Sequence, residues 1–560
     1  MKKLTSFAAI GGMVLFLSGF LQGCGQAADN LVPLPTQGLA AVIGSENTPQ
    51  PLVSDNREID AESTIVPKPT IQPTFTPSPT PEPWRLKLDG GIPAEARQDL
   101  TALPANQFVL NDDEPDIELI VGSGQSIGRW VYALVAPFNT LRDGVSSAEM
   151  GQLNLVGTAE TVAVWQDVYP QITIVPKAEL VQAVWDEAAT FAIVPFHELT
   201  PDLKVMSIDG LSPLKKELNV ENYPLKVNIG VEGEPAAVDA FMSQRPFITN
   251  RDEEKMTRIA MTGVTALVRA TAAQMEYSGI LFPGEVVAPI LQAADVAHVS
   301  NEVPFAENCP FPNAVSQSVV FCSRDSYFQL LEHLGTDIVE VTGNHSNDYG
   351  TDAMLRSLEK YVDAGMNYYG GGRDLSDSFQ PAYVYDHGNK IAFVGCNSFG
   401  PVGAWATADR PGTAPCGDFS KIASVVSQLA AEGYVVIVTF QYAEIYSYQA
   451  TAAQKRDFKL LAEAGAAAVS GSQSHHPQQF DFHNGAYIHY GLGNLFFDQM
   501  FSLGTRQMFI DEYVVYDSRL VGVELWTGLI EYYSRPREMT AAEREALLRS
   551  VFNASGWAAR

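Results

Sequence analysis

The decapeptide VTGNHSNDYG (residues 341–350), which follows the short apolar run DIVE (337–340), decides how this chain is read. Three more apolar runs end in a polar or glycine-containing turn: RIAMTG (258–263), IAFVGCNS (391–398) and VVIVTFQY (435–442). Largely apolar along their length, they read as strands buried on both faces in a parallel sheet. Between them the pattern predicts amphipathic helices over 351–364 and 452–464, followed by the helix-ending glycines Gly365 and Gly465. Strand and helix in alternation imply a layered α/β domain whose reactive residues gather beyond the carboxyl ends of the strands. In 341–350, Asn344 offers an amide oxygen, His345 is a titratable acid, and Asp348 is close enough to orient it.

Two further segments add polar groups at strand ends. ADVAHVSNEVPF (294–305) places Glu302 after a strand, and VSGSQSHHPQQFDFHNGAYIHYGLGNLFFD (469–498) places His475, His476 and Asn494 after another. His476, His483 and His489 are read as exposed or strand-packing residues. Taken together and in order, these motifs over about residues 256–500 resemble the CapA family, the poly-γ-glutamate or capsule synthesis proteins, whose fold is that of calcineurin-like metallophosphoesterases. The resemblance implies a four-layer αββα domain over 255–535. It also implies a metal centre, usually of two ions, held by carboxylates, His and the Asn of the Gly-Asn-His turn. Carried over residue by residue, it gives Glu302, Asn344 and His475 as metal ligands, His345 and Asp348 as the catalytic pair, and Glu444 and Asn494 as substrate contacts. Three positions depart from the pattern: Val264 stands where the family has its first Asp, Gln441 where it has a His, and Gln473 where it has the first His of a later turn. Valine has no lone pair and glutamine is a neutral, weak oxygen donor, so two ions are not expected to bind tightly. The cofactor expectation is one divalent ion (Mn, Zn or Fe), with Gln441 and Gln473 as further oxygen donors, or none.

Composition bounds the rest. The chain has 560 residues, 46% of them hydrophobic, and a formal net charge of -29. That length suits two to four domains and excludes a mainly disordered protein. The acidic balance excludes diffuse attraction to nucleic acid. Lys2 and Lys3 precede a short uncharged run, giving a secretory signal over 1–23, and Leu-Gln-Gly-Cys at 21–24 resembles a bacterial lipobox with Cys24 as the lipidated residue. Residues 24–84 form a Pro/Thr-rich linker, extended in the polyproline II manner. The expected location is therefore the outer face of the cell membrane, anchored by lipid. For Cys309, Cys322, Cys396 and Cys416, two local disulfides, 309 with 322 and 396 with 416, are the simplest of the three connectivities.

Residues 85–250 mix strand-like runs with a helix near 180–190, and FAIVPFHELTPDLKVMSIDG (191–210) resembles the hinge-crossing part of extracytoplasmic solute-binding folds at Pro195, Phe196 and Asp209. In GSGQSIGRWVYALV (122–135), Gly122 and Gly124 read as a strand-to-helix turn able to present N–H groups to an anion. Over 399–413, Trp405 sits in a loop that reads as a lid or as a plain surface loop. Residues 513–533 predict a hairpin, and Thr540 with Glu543 a capping box opening a C-terminal helix within 536–560. The functional expectation is capsule or poly-γ-glutamate synthesis, or other surface-polymer handling, by a protein with a degenerate metal-hydrolase or transferase site. The alternative is a lipoprotein that binds a ligand or polymer without breaking a bond.

Overall fold

The computed structural model describes residues 82–101, 103–186, 189–244 and 247–560. The signal segment 1–23, Cys24 and the linker up to residue 81 lie outside the described residues. Residues 79–560 form one compact unit. Among the described residues no helix is long and apolar enough to cross a membrane.

The first part is built on one long strand, Gln125–Pro137. Its first half pairs with Lys226–Gly233 and Ile248–Thr249, and its second half with Thr190–Pro195 and Leu203–Ile208. This corrects the helix expected after Gly124. A run such as SIGRWVYALVAP is buried on both faces from Ile127 onward except at Arg129, and an apolar stretch of that kind is strand or helix alike by periodicity. Its β-branched and aromatic residues suit the strand. Gly122 and Gly124 adopt φ of 88° and 83° in the turn that leads into the strand, not at a helix start.

The second part stacks two sheets face to face. One runs in the order Asn367–Tyr369, Ile338–Glu340, Val296–Asn301, Met256–Thr262, Gln507–Tyr516, Arg519–Glu531, Arg535–Glu538. The other runs Ala382–Asp386, Asn389–Asn397, Val435–Gln441, Ala468–Ser472, Ala486–His489, Phe480–His483. Between them lies an apolar layer that includes Ile259, Ile338, Phe393, Ile437, Phe480 and Tyr513. Helices cover the outer faces: Thr351–Asp363 packs on the first sheet, and Ser420–Ala431 and Ala452–Glu463 on the second. This is the expected αββα arrangement. The four apolar runs are strands at Met256–Thr262, Ile338–Glu340, Asn389–Asn397 and Val435–Gln441.

Local chemistry sets the boundaries. Gly365 and Gly465 leave their helices with φ of 78° and 109°. Asp517 and Ser518, both left-handed, join Gln507–Tyr516 to Arg519–Glu531 in a tight hairpin. Thr540 and Glu543 form the expected capping box before Ala541–Ala554. Both local disulfides, Cys309–Cys322 and Cys396–Cys416, are present.

The two parts share an aromatic joint. Phe138, 2% exposed, leaves the long strand to pack edge-on against Phe480, Phe482 and Phe552, with Tyr487 also in contact. Around it Lys215 pairs with Glu512 and Glu524, and Lys216 with Asp295. Removing a buried phenyl ring costs about 3 kcal/mol or more. Phe138→Ala is expected to lose about that much in guanidinium unfolding and to split one transition into two, whereas a loss below about 1 kcal/mol would show that the joint does not couple the parts.

Candidate functional site

The site forms where strand ends of both sheets meet. Glu302 follows Val296–Asn301, and the Asn344–His345 turn follows Ile338–Glu340. Gln441 ends Val435–Gln441, Gln473 and His475 follow Ala468–Ser472, and Asn494 opens Asn494–Phe496. Gly343 is required by proximity, because a Cβ there would lie 2.5 Å from the Glu302 carbonyl oxygen. Gln473 and His475 hold φ of 73° and 50°, a left-handed backbone that non-glycine residues adopt at a cost of about 1–2 kcal/mol each.

At the centre is the Gln441 side chain. Its Nε2 lies 3.1 Å from Asn344 Oδ1 and 3.4 Å from Glu302 Oε1, and it also donates to Gln473 Oε1. Asn397 fixes which end of this amide faces inward. Asn397 Oδ1 accepts from the backbone N–H of Phe399 (3.1 Å) and Gly400 (2.6 Å) and from Trp405 Nε1 (3.1 Å). Its Nδ2 therefore donates, to Thr342 O at 2.8 Å and to Gln441 Oε1 at 2.7 Å. With its oxygen so engaged, Gln441 turns its NH2 toward the oxygens of Glu302, Asn344 and Gln473.

The two histidines flank this centre. His345 Nδ1 meets Asp348 Oδ2 at 2.6 Å, and Asp348 also accepts from Phe321 N at 2.8 Å. The Phe321 ring lies 4.4 Å from the His345 ring, centroid to centroid. His345 Nε2 stands 3.9 Å from Glu302 Oε1. Burial pushes the His345 pKa down, but its bond to Asp348 and the charges of Glu302, Asp348 and Glu444 outweigh that, leaving it raised above 6.5. His475, 2% exposed, has Nδ1 at 2.8 Å from Asn494 Oδ1. Asn494 Nδ2 donates to Thr505 O at 3.0 Å, so its oxygen faces His475, which donates from Nδ1 and keeps a lone pair on Nε2. That Nε2 lies 4.0 Å from Glu444 Oε1, and Tyr446 OH donates to Glu444 Oε2 at 2.8 Å. The chain of contacts Asp348, His345, Glu302, Gln441, Gln473, Glu444, His475, Asn494 is thus continuous. The other histidines stand apart: His476 is buried against Tyr448, His483 meets Glu463 at the surface, and His489 is buried with Asp511.

Asn397 and Phe321 were not singled out in the sequence. The register does carry a trace of Asn397, since it ends its strand directly beside Gln441. Phe321 arrives through the disulfide-closed loop 309–322, which no strand-end motif announces. Trp405 anchors its loop to Asn397 and so to the site.

Residues 258–499 match the family described as bacterial capsule synthesis protein PGA_cap. Over this stretch the chain is similar to the CapA family. It resembles the capsule biosynthesis protein CapA of Bacillus anthracis, 23% identical over 256 residues, 45% of this chain and 62% of that one. The PGA biosynthesis protein CapA of Bacillus subtilis is 24% identical over 216 residues, 38% of this chain and 56% of that one. A probable polyglutamine synthesis accessory protein of Mycobacterium tuberculosis is 25% identical, over 41% of this chain and 62% of its own. The chain spans less than two thirds of the length of these relatives. Among solved structures, a putative 5′-nucleotidase from Staphylococcus aureus aligns over 52% of this chain and 58% of its own at 11% identity and TM-score 0.30. An ABC-type phosphate transport receptor from Vibrio cholerae aligns over 29% and 92% at 8% identity and TM-score 0.25. Scores this low carry no further weight.

The CapA domain does not offer the donors of a two-ion centre. Val264 is buried and apolar, and the Gln441 NH2 projects hydrogens, not a lone pair, toward the oxygens an ion would use. Candidate groups for a single ion remain in Glu302, Asn344 and His475, and Glu302 Oε2 is buried without a hydrogen-bond partner. In manganese and zinc titrations followed by calorimetry, Gln441→His is expected to bind at least tenfold more tightly than the native chain, about 1.4 kcal/mol. Equal affinity would mean that the amide does not oppose an ion.

Because folding raises the His345 pKa, its protonated form stabilises the fold. That contribution is complete below the ordinary imidazole value of 6.5 and is lost as pH rises through the raised value. NMR titration is expected to place His345 above 6.5 in the native chain and lower in Asp348→Asn, and an unchanged midpoint in the variant would remove Asp348 as the cause.

Proposed function

We propose that this chain is a lipid-anchored, extracytoplasmic protein of capsule or poly-γ-glutamate synthesis whose CapA domain holds a segment of surface polymer at a degenerate metallophosphoesterase-type site. The similarity of residues 258–499 to the capsule synthesis family supports the polymer class. The lipobox at Cys24 and the Pro/Thr-rich linker support the location. The observation that carries the binding reading is the Gln441 amide nitrogen, turned by Asn397 toward the oxygens of Glu302, Asn344 and Gln473.

Such a centre is rich in acceptors: Glu302 Oε2 is buried without a hydrogen-bond partner, and Glu444 is 45% exposed at the rim. A γ-glutamyl chain brings backbone N–H donors and a terminal ammonium as well as carboxylates. The donors suit Glu302 and Glu444, while protonated His345 faces a carboxylate or amide oxygen. Phe321 and Asp348 fix the imidazole, so its Nε2 is the atom that gives or takes a proton. If an ion of Mn, Zn or Fe binds through Glu302, Asn344 and His475, it supplies polarisation of a phosphoryl or acyl oxygen.

A second reading, hydrolase or transferase chemistry, is favoured by the 2.6 Å His345–Asp348 pair, which has the form of an oriented acid/base couple. One set of measurements on the full chain separates the two. Poly-γ-glutamate oligomers are expected to bind equally with and without EDTA and at least tenfold more weakly to Glu302→Gln, with no turnover of γ-glutamyl amides or phosphodiesters. Cys24→Ser is expected to leave the membrane fraction. Turnover that needs added manganese or zinc and vanishes in His345→Ala would replace binding with catalysis.

A further inference from the structure

A polymer of glutamate is an anion, and this chain, with 65 Asp and Glu against 36 Lys and Arg, repels anions at a distance. A local cation has to receive it. Three of the cavities carry carboxylates in their walls, among them Glu512, Asp202 and Glu95. A fourth, of about 180 Å³, does not: among the described residues it is lined by two arginines, Arg269 and Arg324, and by no Asp or Glu. At about 30 Å³ per water it has room for about six waters, enough for one acidic group and not for a whole ligand.

This pocket adjoins the site. Phe321 is in its wall and also packs on the His345 ring at 4.4 Å, centroid to centroid. The Arg269 guanidinium stands 5.0 Å from the centroid of Phe321 and 5.0 Å from that of Phe497, whose ring lies 5.1 Å from His475. One cation therefore sits between the rings that flank the two histidines. It is held there against backbone preference, since Arg269 has φ of 45°, which costs a non-glycine residue about 1–2 kcal/mol. Asp498 secures the turn by accepting from Arg269 Nε (3.2 Å), Arg269 Nη2 (2.5 Å) and Ala270 N (3.0 Å).

Neither arginine is used up by its acid. A guanidinium has five N–H donors in a planar fork, and Asp498 takes only the Nε and Nη2 edge of Arg269. Arg324 gives Nη1 to Glu276 Oε1, which Tyr327 OH also reaches at 2.8 Å, and its side chain stays 37% exposed. The polar groups of the neighbouring loop act in the same sense. Asn313 Oδ1 accepts from Val315 N at 3.1 Å and Ser316 Oγ from Ser318 N at 3.2 Å, so what these two side chains have left for the pocket is N–H and O–H. The Cys309–Cys322 disulfide closes this loop, which assembles the donors before any ligand arrives. We infer that the pocket is a subsite for one carboxylate of the polymer, gripped by Arg269 and Arg324 while a neighbouring part of the same polymer occupies the His345 centre, an inference that rests on the polymer reading above. Charge-assisted bonds from a planar fork to a carboxylate are the strong kind.

Calorimetry on the full chain tests this with a γ-glutamate oligomer and with the same oligomer amidated at every carboxylate, which keeps the backbone N–H groups but brings no anion. The native chain is expected to bind the first at least tenfold more tightly, with the difference shrinking as salt is added. Arg324→Gln should remove that difference and leave the affinity of the amidated oligomer as it was. Arg324→Lys should restore only part of it, because a point charge replaces the fork. Arg269→Gln should act in the same direction, and the partly exposed Arg324 carries the test alone if that variant does not fold. An unchanged ratio in folded Arg324→Gln, with both oligomers still bound, would overturn the subsite and leave the polymer reading standing. No binding of either oligomer to the native chain would overturn both. Inorganic phosphate held more tightly than the oligomer by the native chain, and lost in Arg324→Gln, would give the pocket to a phosphoryl group and overturn the carboxylate assignment.

Discussion

The N–H groups of Phe399 and Gly400 fix the direction of the Asn397 amide, and the polarity of the whole centre follows from that. Backbone donors cannot be reversed, so Asn397 must present its NH2 to Gln441, and Gln441 must present its own NH2 to the ring of oxygens. One end of this relay is anchored in the disulfide-bearing loop 397–416, the other in the strand ends of both sheets. Each amide passes the same constraint forward, as chains of hydrogen bonds in a low-dielectric interior do. The outcome is a site with the hydrogen-bonded His345–Asp348 pair on one side and the neutral donor of Gln441 in its middle.

Burial supports that arrangement from below. Glu340, at the end of the strand that leads to the Gly-Asn-His turn, is 2% exposed, accepts from Thr342 Oγ1 at 2.5 Å and Ser472 Oγ at 3.1 Å, and has its pKa raised by burial. His298 nearby bonds Tyr369, which bonds Thr439, and burial lowers the His298 pKa to about 3. A polar seam therefore crosses the apolar layer just beneath the site and ties strands of the two sheets together. The Phe138 joint fixes the first part of the chain to the far end of the same layer.

Much of the fold was legible because buried parallel strands announce themselves as unbroken apolar runs, and because Gly365 and Gly465 mark helix ends. The strand after Gly124 was not, since an apolar stretch covered on both faces carries no period by which to tell strand from helix. At the site, the positions of Glu302, Asn344, His345, Gln441, Gln473 and His475 followed from motif order and strand ends. The orientation of amides did not, because it depends on Asn397 and a loop whose contacts no local pattern encodes.

Gly343 sits against the Glu302 backbone so closely that no side chain can replace its hydrogen, whereas residues 441 and 473 occupy places where an imidazole and a carboxamide have similar size. Shape and chemistry are thus held by different residues. Such a scaffold is free to exchange one kind of reactivity for another while its outline stays the same, so a family resemblance at this depth transmits the mould more faithfully than the casting.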